Sequence, residues 1–488
     1  MKKSTKAIIG AAVGSLAVAN AVHAAMYKPK AVDYGVKQKE KVDVDRAAKH
    51  LSKAIQFRTV SNPDPSKVDW NEFERFHAFL DEAYPLIAEK LEKEKVSDAS
   101  LIYRWKGKDS SLKPIALLSH QDVVPVSSGT EQDWEFPAFD GVIDGGYVWG
   151  RGALDMKNHL VCVMEAVETL LEEGFEPERD VYLLFGHDEE VVASECGGAK
   201  TIMETLKARN IELDSIVDEG GAILPVDIKG VLQGRLCGIG IAEKGYCDVQ
   251  ISLEHKGGHS SAPPVHSGLG YMADVIHDLE KHQFDYKIEP FMENLLEQIG
   301  RRVSFPARLV SCNLHALKPV LNQVLKHIPQ AASMTHTTTA VTQAKGSPAS
   351  NVLPQNPTIT VNFRQMPGTT TDDVVQHIKR VVRNKNIDVK VMRTKEASKF
   401  SPTDSRAFKT IETLCMQEDE NSIVAPYLVM GGTDACFYEP ICENIYRFAP
   451  FSVSVDLLMC THATNERIPI ETLGKGVEFF KTYIRRMA

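Results

Sequence analysis

The sequence predicts an α/β fold with a mostly parallel sheet, interrupted by a smaller α+β domain. Short apolar runs, typical of buried strands, alternate with helical patterns up to about residue 242. The pattern changes to half-exposed strands after Glu243 and returns to the first style from about Ser401 to the end. Because alternating strands and helices favour a parallel sheet, the second domain is predicted to be inserted into the first.

Length and charge narrow the class of protein. A chain of 488 residues exceeds one compact core, so two or three domains are expected. Its hydrophobic content of 43% and charged content of 25% are typical of a soluble globular protein. The net charge of −9 argues against nucleic acid as a partner. Beyond the N-terminus, no apolar stretch is long enough to span a membrane.

The N-terminus has the composition of a bacterial-type secretory signal peptide at residues 1–24. Three lysines precede an apolar run at residues 7–19, and Val22 and Ala24 occupy the −3 and −1 positions of a cleavage site. An uncleaved membrane anchor is the alternative interpretation. Cleavage after Ala24 predicts a secreted or periplasmic protein with no stable membrane span. The Lys-rich residues 25–41 are predicted to be a linker.

Residues 42–243 are predicted to form the first part of the main domain. Helices are expected at Val44–Ile55 and roughly at Asn71–Glu92, with a turn at residues 62–65 between them. Between residues 160 and 171, apolar side chains recur at i, i+3, i+4 and i+7. This helix therefore begins just past Asp155 and leaves that carboxylate in the preceding loop.

Residues 244–397 are predicted to form the inserted domain. Strands are expected at Cys247–Leu253, Thr337–Gln343, Thr358–Phe363 and Ile387–Met392, and helices at Gly268–Lys281 and Thr371–Arg383. This strand–helix–strand–strand–helix–strand order is that of a ferredoxin-like sandwich. An extra stretch of mixed helical character, about residues 285–336, follows the first helix. Residues 398–488 then complete the main domain.

Acidic and imidazole side chains follow five predicted strands of the main domain. They are His120 and Asp122, Asp155, Glu189 and Glu190, Asp218 and Glu219, and His462, which comes after the apolar run Leu457–Cys460. Open α/β sheets bind ligands at the carboxyl ends of their strands. Two histidines and several carboxylates are a suitable ligand set for a pair of divalent metals.

The nine cysteines are odd in number and irregularly spaced, which argues against a disulfide framework. There is no Cys-x-x-Cys pair, so a thiolate zinc site is not expected. The sequence leaves open a bridge between Cys436 and Cys442.

Seven motifs occur in an order that resembles a known enzyme family. They are residues 119–126 (SHQDVVPV), 150–157 (GRGALDMK), 186–190 (GHDEE), 218–221 (DEGG), 257–261 (GGHSS), 431–435 (GGTDA) and 462–466 (HATNE). The chain resembles the co-catalytic di-zinc metallopeptidases that include aminoacylase, glutamate carboxypeptidase and succinyl-diaminopimelate desuccinylase. The GHDEE motif (186–190) and the DEGG motif (218–221, preceded by Val217) are most similar to the carboxypeptidase S and N-acyl-amino-acid hydrolase branch.

The resemblance implies a di-zinc catalytic domain with an inserted lid domain, and it assigns metal ligands. His120 and Asp218 would hold one metal, His462 and Glu190 the other, and Asp155 would bridge them, because two close cations need an anion between them. Two Zn²⁺ per chain are expected, with Co²⁺ or Mn²⁺ also suited to such ligands. Asp122 would orient His120 through its second ring nitrogen.

Further roles follow from the same resemblance. Glu189 would be the general base that takes a proton from a water activated by the two zinc ions. His259, from this subunit or a partner, would donate to the oxyanion. Arg364 would pair with the substrate carboxylate, with Asn351, Gly432 and Thr433 as further substrate contacts. Many relatives have Gly where Ala463 stands, which matters only if that residue needs a positive φ.

The expected activity is hydrolysis of an amide bond next to a free carboxylate, in a C-terminal peptide bond or an N-acyl amino acid. A long-chain N-acyl-amino-acid hydrolase and synthase is the alternative within the enzyme class. A non-catalytic metal-binding or peptide-binding module would require loss of the base or a ligand, and none is missing. A homodimer through the lid domain is a further implication.

Overall fold

The computed structural model describes residues 18–191, 197–383 and 386–488. The helices are α1 (Val44–Ile55), α2 (Trp70–Ala83), α3 (Pro85–Lys90), α4 (Lys157–Glu172), α5 (Gly198–Ala208), α6 (Gly268–Lys281), α7 (Pro290–Arg302), α8 (Phe305–Ser311), α9 (Leu314–Leu325), α10 (Pro329–Ser333), α11 (Thr371–Val381), α12 (Arg406–Glu418), α13 (Val455–Leu458) and α14 (Ile470–Met487). Short 3₁₀ turns lie at Pro65–Lys67, Glu131–Asp133 and Asp434–Tyr438. Within the described ranges, no helix combines the length and the apolarity needed to cross a bilayer.

The strands form one large sheet, a lid sheet and two small ribbons. They are β1 (Glu92–Val96), β2 (Ser100–Trp105), β3 (Ile115–His120), β4 (Ile143–Asp144), β5 (Tyr147–Trp149), β6 (Val181–Gly186), β7 (Ser215–Asp218), β8 (Ile223–Ile228), β9 (Leu232–Glu243), β10 (Tyr246–Leu253), β11 (Gly258–His259), β12 (Thr338–Lys345), β13 (Val352–Leu353), β14 (Thr358–Arg364), β15 (Ile387–Lys395), β16 (Ser422–Val429), β17 (Ile445–Arg447) and β18 (Arg467–Pro469).

The large sheet has the order β1-β2-β6-β3-β7-β17-β9-β16, with β8 paired to β9. Its centre, from β6 through β3 and β7 to β17, is parallel, whereas β1 and β2 pair antiparallel at one side. The parallel centre confirms the predicted α/β class. It also brings the carboxyl ends of β3, β6 and β7 to one edge.

Strand β3 shows why the sheet is covered on both faces. Ile115 and Leu117 join a core shared with α1, α4 and α14. Ala116 and Leu118 join the opposite core, shared with α5. Because successive side chains of a strand point to opposite faces, a continuous apolar run fills both layers. The helix predicted past Asp155 is α4, and it begins at Lys157.

The inserted domain has the predicted ferredoxin-like order, β10-α6-β12-β14-α11-β15. Its antiparallel sheet runs β12-β14-β10-β15. Helices α6 and α11 cover one face, where Val275, Leu279, Val374 and Ile378 pack on the alternate residues of the strands. The lid is joined to the large sheet through the short connection between Glu243, which ends β9, and Tyr246, which begins β10.

The extra stretch of the lid, helices α7–α10, packs on the main domain. Val303 of this insert lies with Ile423 of β16 and Leu232 of β9, and Phe291 and Met292 join the main core. Strand β16 is the edge of the large sheet, so the insert covers an edge that would otherwise be open to pairing. Lys244 lies in the connection between β9 and β10, which is the hinge of the lid. Its buried ammonium attaches the insert to this hinge by donating to the carbonyls of Ser333 (2.8 Å) and His336 (2.9 Å).

Two local predictions were wrong. The run Leu457–Cys460, predicted as a strand, contains the end of helix α13, which Ser454 caps by accepting from the N–H of Leu457. The single helix predicted at Asn71–Glu92 is two helices, because Pro85 begins α3 after a break at Tyr84. Cys436 and Cys442 are free thiols, so the bridge that the sequence left open is not formed.

The N-terminal segment makes specific contacts. Residues 1–17, most of the predicted signal peptide, lie outside the described residues. Residues 18–26 are helical, and Ala24 is fully buried. The Asn20 amide donates to the carbonyl of Leu309 in the insert (3.2 Å), and the Arg301 guanidinium lies 4.5 Å from the Tyr27 ring centre.

The segment predicted as a linker, residues 25–41, lies along the main domain. Lys37 pairs with Glu478 at 2.7 Å and also with Glu418. Glu40 pairs with the ammonium of Lys481 in α14 at 3.0 Å. These ion pairs fix the end of the segment on the surface formed by α12 and α14.

We expect Lys481→Met to destabilise the protein by weakening this attachment. The Lys481 side chain has no exposed surface, and its ammonium lies between Glu40 and Glu173 (2.6 Å) while donating to the carbonyl of Lys41 (3.0 Å). Removing one partner of a buried ion pair leaves the other charges uncompensated. Because Glu173 is partly exposed, the free energy of unfolding should fall by about 3 kcal/mol.

Lys409→Met is the matched control in urea unfolding. Lys409 pairs with Glu412 at 2.8 Å, but its side chain is 56% exposed. Its loss should change the free energy of unfolding by less than about 1 kcal/mol. Equal losses in the two variants would contradict the structural role of Lys481.

Candidate metal centre

His120 ends strand β3 at the edge where three parallel strands terminate. Its Nδ1 lies 2.9 Å from the carbonyl oxygen of Asp122, which fixes the proton on that nitrogen. Its Nε2 then faces oxygens of three carboxylates, at 3.1 Å from Asp155, 3.4 Å from Glu219 and 3.9 Å from Glu189. With its Nδ1 protonated, His120 can direct Nε2 toward these carboxylates only if Nε2 also carries a proton or binds a cation.

Asp155 connects the two histidines of the site. Its Oδ1 lies 3.1 Å from His120 Nε2, and its Oδ2 lies 3.0 Å from His462 Nε2. Burial acts to raise the pKa of Asp155, but hydrogen bonds from both imidazoles hold it well below its usual range. One oxygen toward each imidazole is the arrangement that a bridging carboxylate requires.

His462 and Glu190 form the second half of the site. Glu190 Oε2 lies 3.1 Å from His462 Nε2. Hydrogen bonds with Asp155 and Glu190 raise the pKa of His462 to about 10. The positive φ angles of this turn belong to His462 (61°) and Asn465 (60°). Ala463, where many relatives have Gly, is therefore not in the left-handed conformation, and Ala is tolerated there.

Asp122 holds both the histidine and the loop after β6. Its Oδ1 lies 3.3 Å from His120 Nδ1. Its carboxylate also accepts from the backbone N–H groups of Glu189 (3.2 Å) and Glu190 (3.1 Å) and from the hydroxyl of Ser61. Burial acts to raise the pKa of Asp122, yet these hydrogen bonds and the charge of His120 keep it below its usual range. Asp122 thus positions the two glutamates as well as His120.

Glu189 lies among like charges. Burial, together with the negative charge of Glu219, raises its pKa well above the usual range of a carboxyl group. A carboxylate with a raised pKa is a competent proton acceptor near neutral pH. Burial raises the pKa of the neighbouring Glu190 and Glu219 too, so the role of general base for Glu189 stays a prediction.

Asp218 and Glu219 have different orientations. Asp218 is buried, and its Oδ2 accepts from the N–H of Ala435 at 3.0 Å. Glu219 instead lies 3.4 Å from His120 Nε2, and burial and the charge of Asp155 raise its pKa to about 8. Neighbours at a strand end point to opposite sides, so only one of them faces His120. The sequence predicted Asp218, whereas the contact is made by Glu219.

Glu466 was missed by the sequence analysis. Its Oε1 accepts from the N–H groups of Leu154 (2.8 Å) and Asp155 (3.2 Å), and its Oε2 pairs with Arg151 at 2.5 Å. Glu466 is fully buried. Its place four residues after His462, in the HATNE motif, was the available signal. It ties the loop of Asp155 to the loop of His462.

Thr433 and Gly432, predicted substrate contacts, lie in the loop after β16. The N–H and hydroxyl of Thr433 both donate to Oε2 of the buried Glu243, at 3.0 and 2.9 Å. Oε2 of Glu243 also accepts from Arg447 Nε at 3.2 Å. The ion pair between Glu243 and Arg447 therefore holds the loop from the main-domain side.

The remaining predicted residues lie in the lid, and their contacts are within it. The exposed His259 has its Nδ1 2.7 Å from the hydroxyl of Ser261. The Asn351 carbonyl accepts from the N–H of Ser260 at 3.0 Å. The Arg364 guanidinium lies 4.7 Å from the ring centre of Tyr246. The structure thus brings His120, Asp122, Asp155, Glu189, Glu190 and His462 together, and it leaves His259, Asn351 and Arg364 on the lid.

The cluster suits divalent metal ions. Two sets of side chains have ligand atoms within 4.8 Å of one another, namely His120, Asp155 and Glu190, and His120, Glu189 and Glu219. All donors are carboxylate oxygens or imidazole nitrogens, the ligand types that zinc, cobalt and manganese accept. Ligands about 2 Å from one ion lie roughly 3–3.4 Å apart, as the closest pairs here do.

Comparison with known proteins identifies the family. The profile described as peptidase family M20/M25/M40 matches residues 116–486. The chain is 34% identical over 442 residues to "Probable carboxypeptidase S-like 2" of Dictyostelium discoideum, covering 90% of this chain and 84% of that protein. It is 30% identical over 434 residues to "N-fatty-acyl-amino acid synthase/hydrolase PM20D1" of Xenopus tropicalis, covering 88% and 83%.

A solved structure supports the fold. The M20 family metallo-carboxypeptidase Sso-CP2 from Sulfolobus solfataricus superimposes with a TM-score of 0.60 at 17% sequence identity, covering 90% of this chain and 98% of that one. The resemblance noted from the sequence motifs is confirmed by the family profile and the curated relatives. The chain belongs to peptidase family M20/M25/M40 and is a metallopeptidase of that family.

Proposed function

We propose that the protein hydrolyses an amide bond next to a free carboxylate, in N-acyl amino acids or at the C-terminus of short peptides. The observation that carries the proposal is the continuous set His462–Asp155–His120, with Glu190 and Glu189 beside it. The curated relatives are named for carboxypeptidase and for N-fatty-acyl-amino acid hydrolase activity. Both reactions break an amide whose amine side carries a carboxylate.

We assign two metal ions, with Zn²⁺ as the expected ion and Co²⁺ or Mn²⁺ as alternatives. His120 and Glu219 would hold one, His462 and Glu190 the other, and Asp155 would be shared. This replaces the predicted ligand Asp218 with Glu219, and the 3.4 Å contact to His120 supports the change. When bound, the ions would polarise the amide carbonyl and lower the pKa of the attacking water.

The chain's own residues would move the proton and orient the site. Glu189 accepts a proton from the attacking water and returns it to the leaving amine. Asp122 holds the backbone of Glu189 through the 3.2 Å hydrogen bond, so the loop that carries the base stays beside the cluster. Glu466 holds Asp155 in the same way from the other side.

The lid would supply the groups that recognise substrate. Arg364 pairs with the free carboxylate, since a guanidinium can form two parallel hydrogen bonds with it. His259 donates to the oxyanion from this subunit or from a partner in a homodimer formed through the lid. Asn351, Gly432 and Thr433 complete the assignment as contacts to the substrate backbone.

A long acyl chain is the second candidate substrate feature. The relative from Xenopus tropicalis, which is 30% identical, is named as an N-fatty-acyl-amino acid synthase and hydrolase. Reversal of the hydrolysis would join a fatty acid to an amino acid at the same centre. For location we propose a secreted or periplasmic protein, on the basis of the N-terminal sequence.

The metal-loaded protein should hydrolyse N-acyl amino acids and dipeptides with a free carboxylate, and should lose at least about 100-fold in kcat/KM on the matching carboxamides. Removing the carboxylate leaves the half-buried Arg364 guanidinium without its proposed charged partner, which is the reason for the large expected loss. Release of free amine from N-acyl amino acids with acyl groups of 2–18 carbons should be measured. The preferred chain length distinguishes a short-chain or peptide substrate from a long-chain acyl substrate.

Glu189→Gln is the control for the mechanism in that assay. It should keep metal and fold but lose at least about 1,000-fold in kcat, because an amide cannot accept the proton. Full activity in this variant would show that another residue is the base. Absence of hydrolysis by the wild-type protein on every substrate would refute the proposed function.

Glu219→Gln and Asp218→Asn separate the two carboxylates as metal ligands. We expect Glu219→Gln to lower the metal content toward one ion per chain after dialysis, because the ion held by His120 loses a carboxylate ligand. Asp218→Asn keeps an oxygen that can accept from Ala435 N–H and should retain nearly two ions. Metal analysis by mass spectrometry tests the assignment, and the reverse order of losses would restore Asp218 as the ligand.

Metal binding to the metal-free protein should release protons and strengthen with rising pH. The metal-free pKa is about 10 for His462 and about 8 for Glu219, so both bind a proton at pH 7 and must lose it to become ligands. The apparent affinity should therefore rise between pH 6 and 8. Calorimetry in buffers of different ionisation enthalpy measures the released protons, and His462→Gln should release fewer.

A further inference from the structure

The lid presents a row of side chains at the end of its sheet nearest the hinge. Phe363 of β14 is paired with Cys247 of β10, so Arg364 lies next to Tyr246. On its other side Tyr246 is paired with Lys395, the last residue of β15. Directly opposed residues share a face of the sheet. Lys395 therefore points in the same direction as Arg364, the residue assigned to the substrate carboxylate.

Lys395 crosses from the lid to the main domain. Its ammonium donates to the carbonyl of Thr433 at 3.3 Å and lies 3.2 Å from Oε1 of Glu243. It also lies 5.2 Å from the ring centre of Phe437, within the range of a cation–π contact. These contacts join a lid strand to the loop that carries Gly432 and Thr433.

Gly432 gives Lys395 the room to approach. A Cβ at Gly432 would lie 3.0 Å from the Lys395 ammonium. The same absence of a side chain leaves the backbone of Gly431 and Gly432 free to adopt many conformations. A loop of this composition needs external contacts to hold one of them.

Those contacts come from two sides. From the main domain, Glu243 accepts from the N–H and hydroxyl of Thr433, and Arg447 balances the charge of Glu243. From the lid, Lys395 holds the Thr433 carbonyl. Two residues later, the N–H of Ala435 donates to Asp218 beside the metal centre. The loop conformation is thus transmitted to the edge of the catalytic cluster.

We propose that Lys395 is a positioning residue for substrate binding, which fixes the Gly431–Thr433 loop when the lid is in place. This rests on the proposed function, in which that loop contacts the substrate backbone. Lys395 acts through the Thr433 carbonyl and Glu243. Its loss changes how well substrate binds, while the backbone of Glu189 keeps its hydrogen bond to Asp122.

Lys395→Met and Lys395→Gln test the proposal on the metal-loaded enzyme. Lys395→Met removes the charged donor to the Thr433 carbonyl, so the loop is no longer held in the conformation that binds substrate. KM should rise about tenfold or more, with kcat within about twofold. Lys395→Gln keeps N–H donors for Thr433 and Glu243, and should recover at least half of that increase on a logarithmic scale. Lys390→Met, an exposed lysine on the same strand, is the matched control and should match wild type.

A binding measurement separates this proposal from the function on which it rests. Calorimetry with an N-acyl amino acid compares Glu189→Gln with and without the Lys395→Met change. The ratio of their Kd values should equal the ratio of KM values between Lys395→Met and wild type. An unchanged KM in Lys395→Met, a loss confined to kcat, or a Lys395→Gln variant as impaired as Lys395→Met would overturn the role of Lys395. Absence of hydrolysis and binding by the wild-type chain would instead overturn the proposed function.

Discussion

The structure depends on balancing several carboxylates that are packed at one edge of a parallel sheet. Asp155, Glu189, Glu190 and Glu219 converge on His120 and His462, and their negative charges repel one another where water is scarce. Burial and mutual repulsion raise the pKa of Glu189 and Glu219, while Asp155 between the two imidazoles stays ionised. Such a cluster is stable only with protons or metal ions bound, and metal ions are what the donor set suits.

The positions of these groups are set by a surrounding layer of buried hydrogen bonds. Asp122 fixes the loop after β6 through two backbone N–H groups, and Glu466 fixes the loop before α4 in the same manner. Both carboxylates are fully buried, so each must have its oxygens satisfied by the chain. The precision of the ligand geometry therefore derives from acids that bind no substrate.

The sequence could predict the centre because its ligands follow buried strands with a clear apolar pattern. That rule placed His120 and Asp122 at the end of β3, and Glu189 and Glu190 after β6, whereas the resemblance to the family assigned their roles. The rule could not choose between Asp218 and Glu219, because both stand at one strand end and only the twist of the chain decides which faces His120. It also took Leu457–Cys460 for a strand, since a four-residue apolar run has no helical period to reveal it.

Contacts between distant segments could not be predicted from the sequence, for a different reason. The insert was predicted as helical, but nothing in its amphipathic pattern says that α7 packs on β16 rather than on the lid. It leaves the lid after α6, covers the edge of the main sheet and returns to the lid at β12. Burial, with the nearby charge of Arg364, lowers the pKa of Lys244 to about 7, and its bonds to Ser333 and His336 secure the returning end.

This arrangement means that the lid is held by more than its two covalent connections. Any rotation about the Glu243–Tyr246 hinge must carry the insert away from β16 or shear it along that strand, which exposes apolar surface such as Val303 and Ile423. The position of the lid strands that carry Arg364 and Lys395 therefore depends also on packing at the β16 edge of the main sheet. The placement of the lid relative to the carboxylate cluster and the covering of that edge are thus two consequences of the same contact.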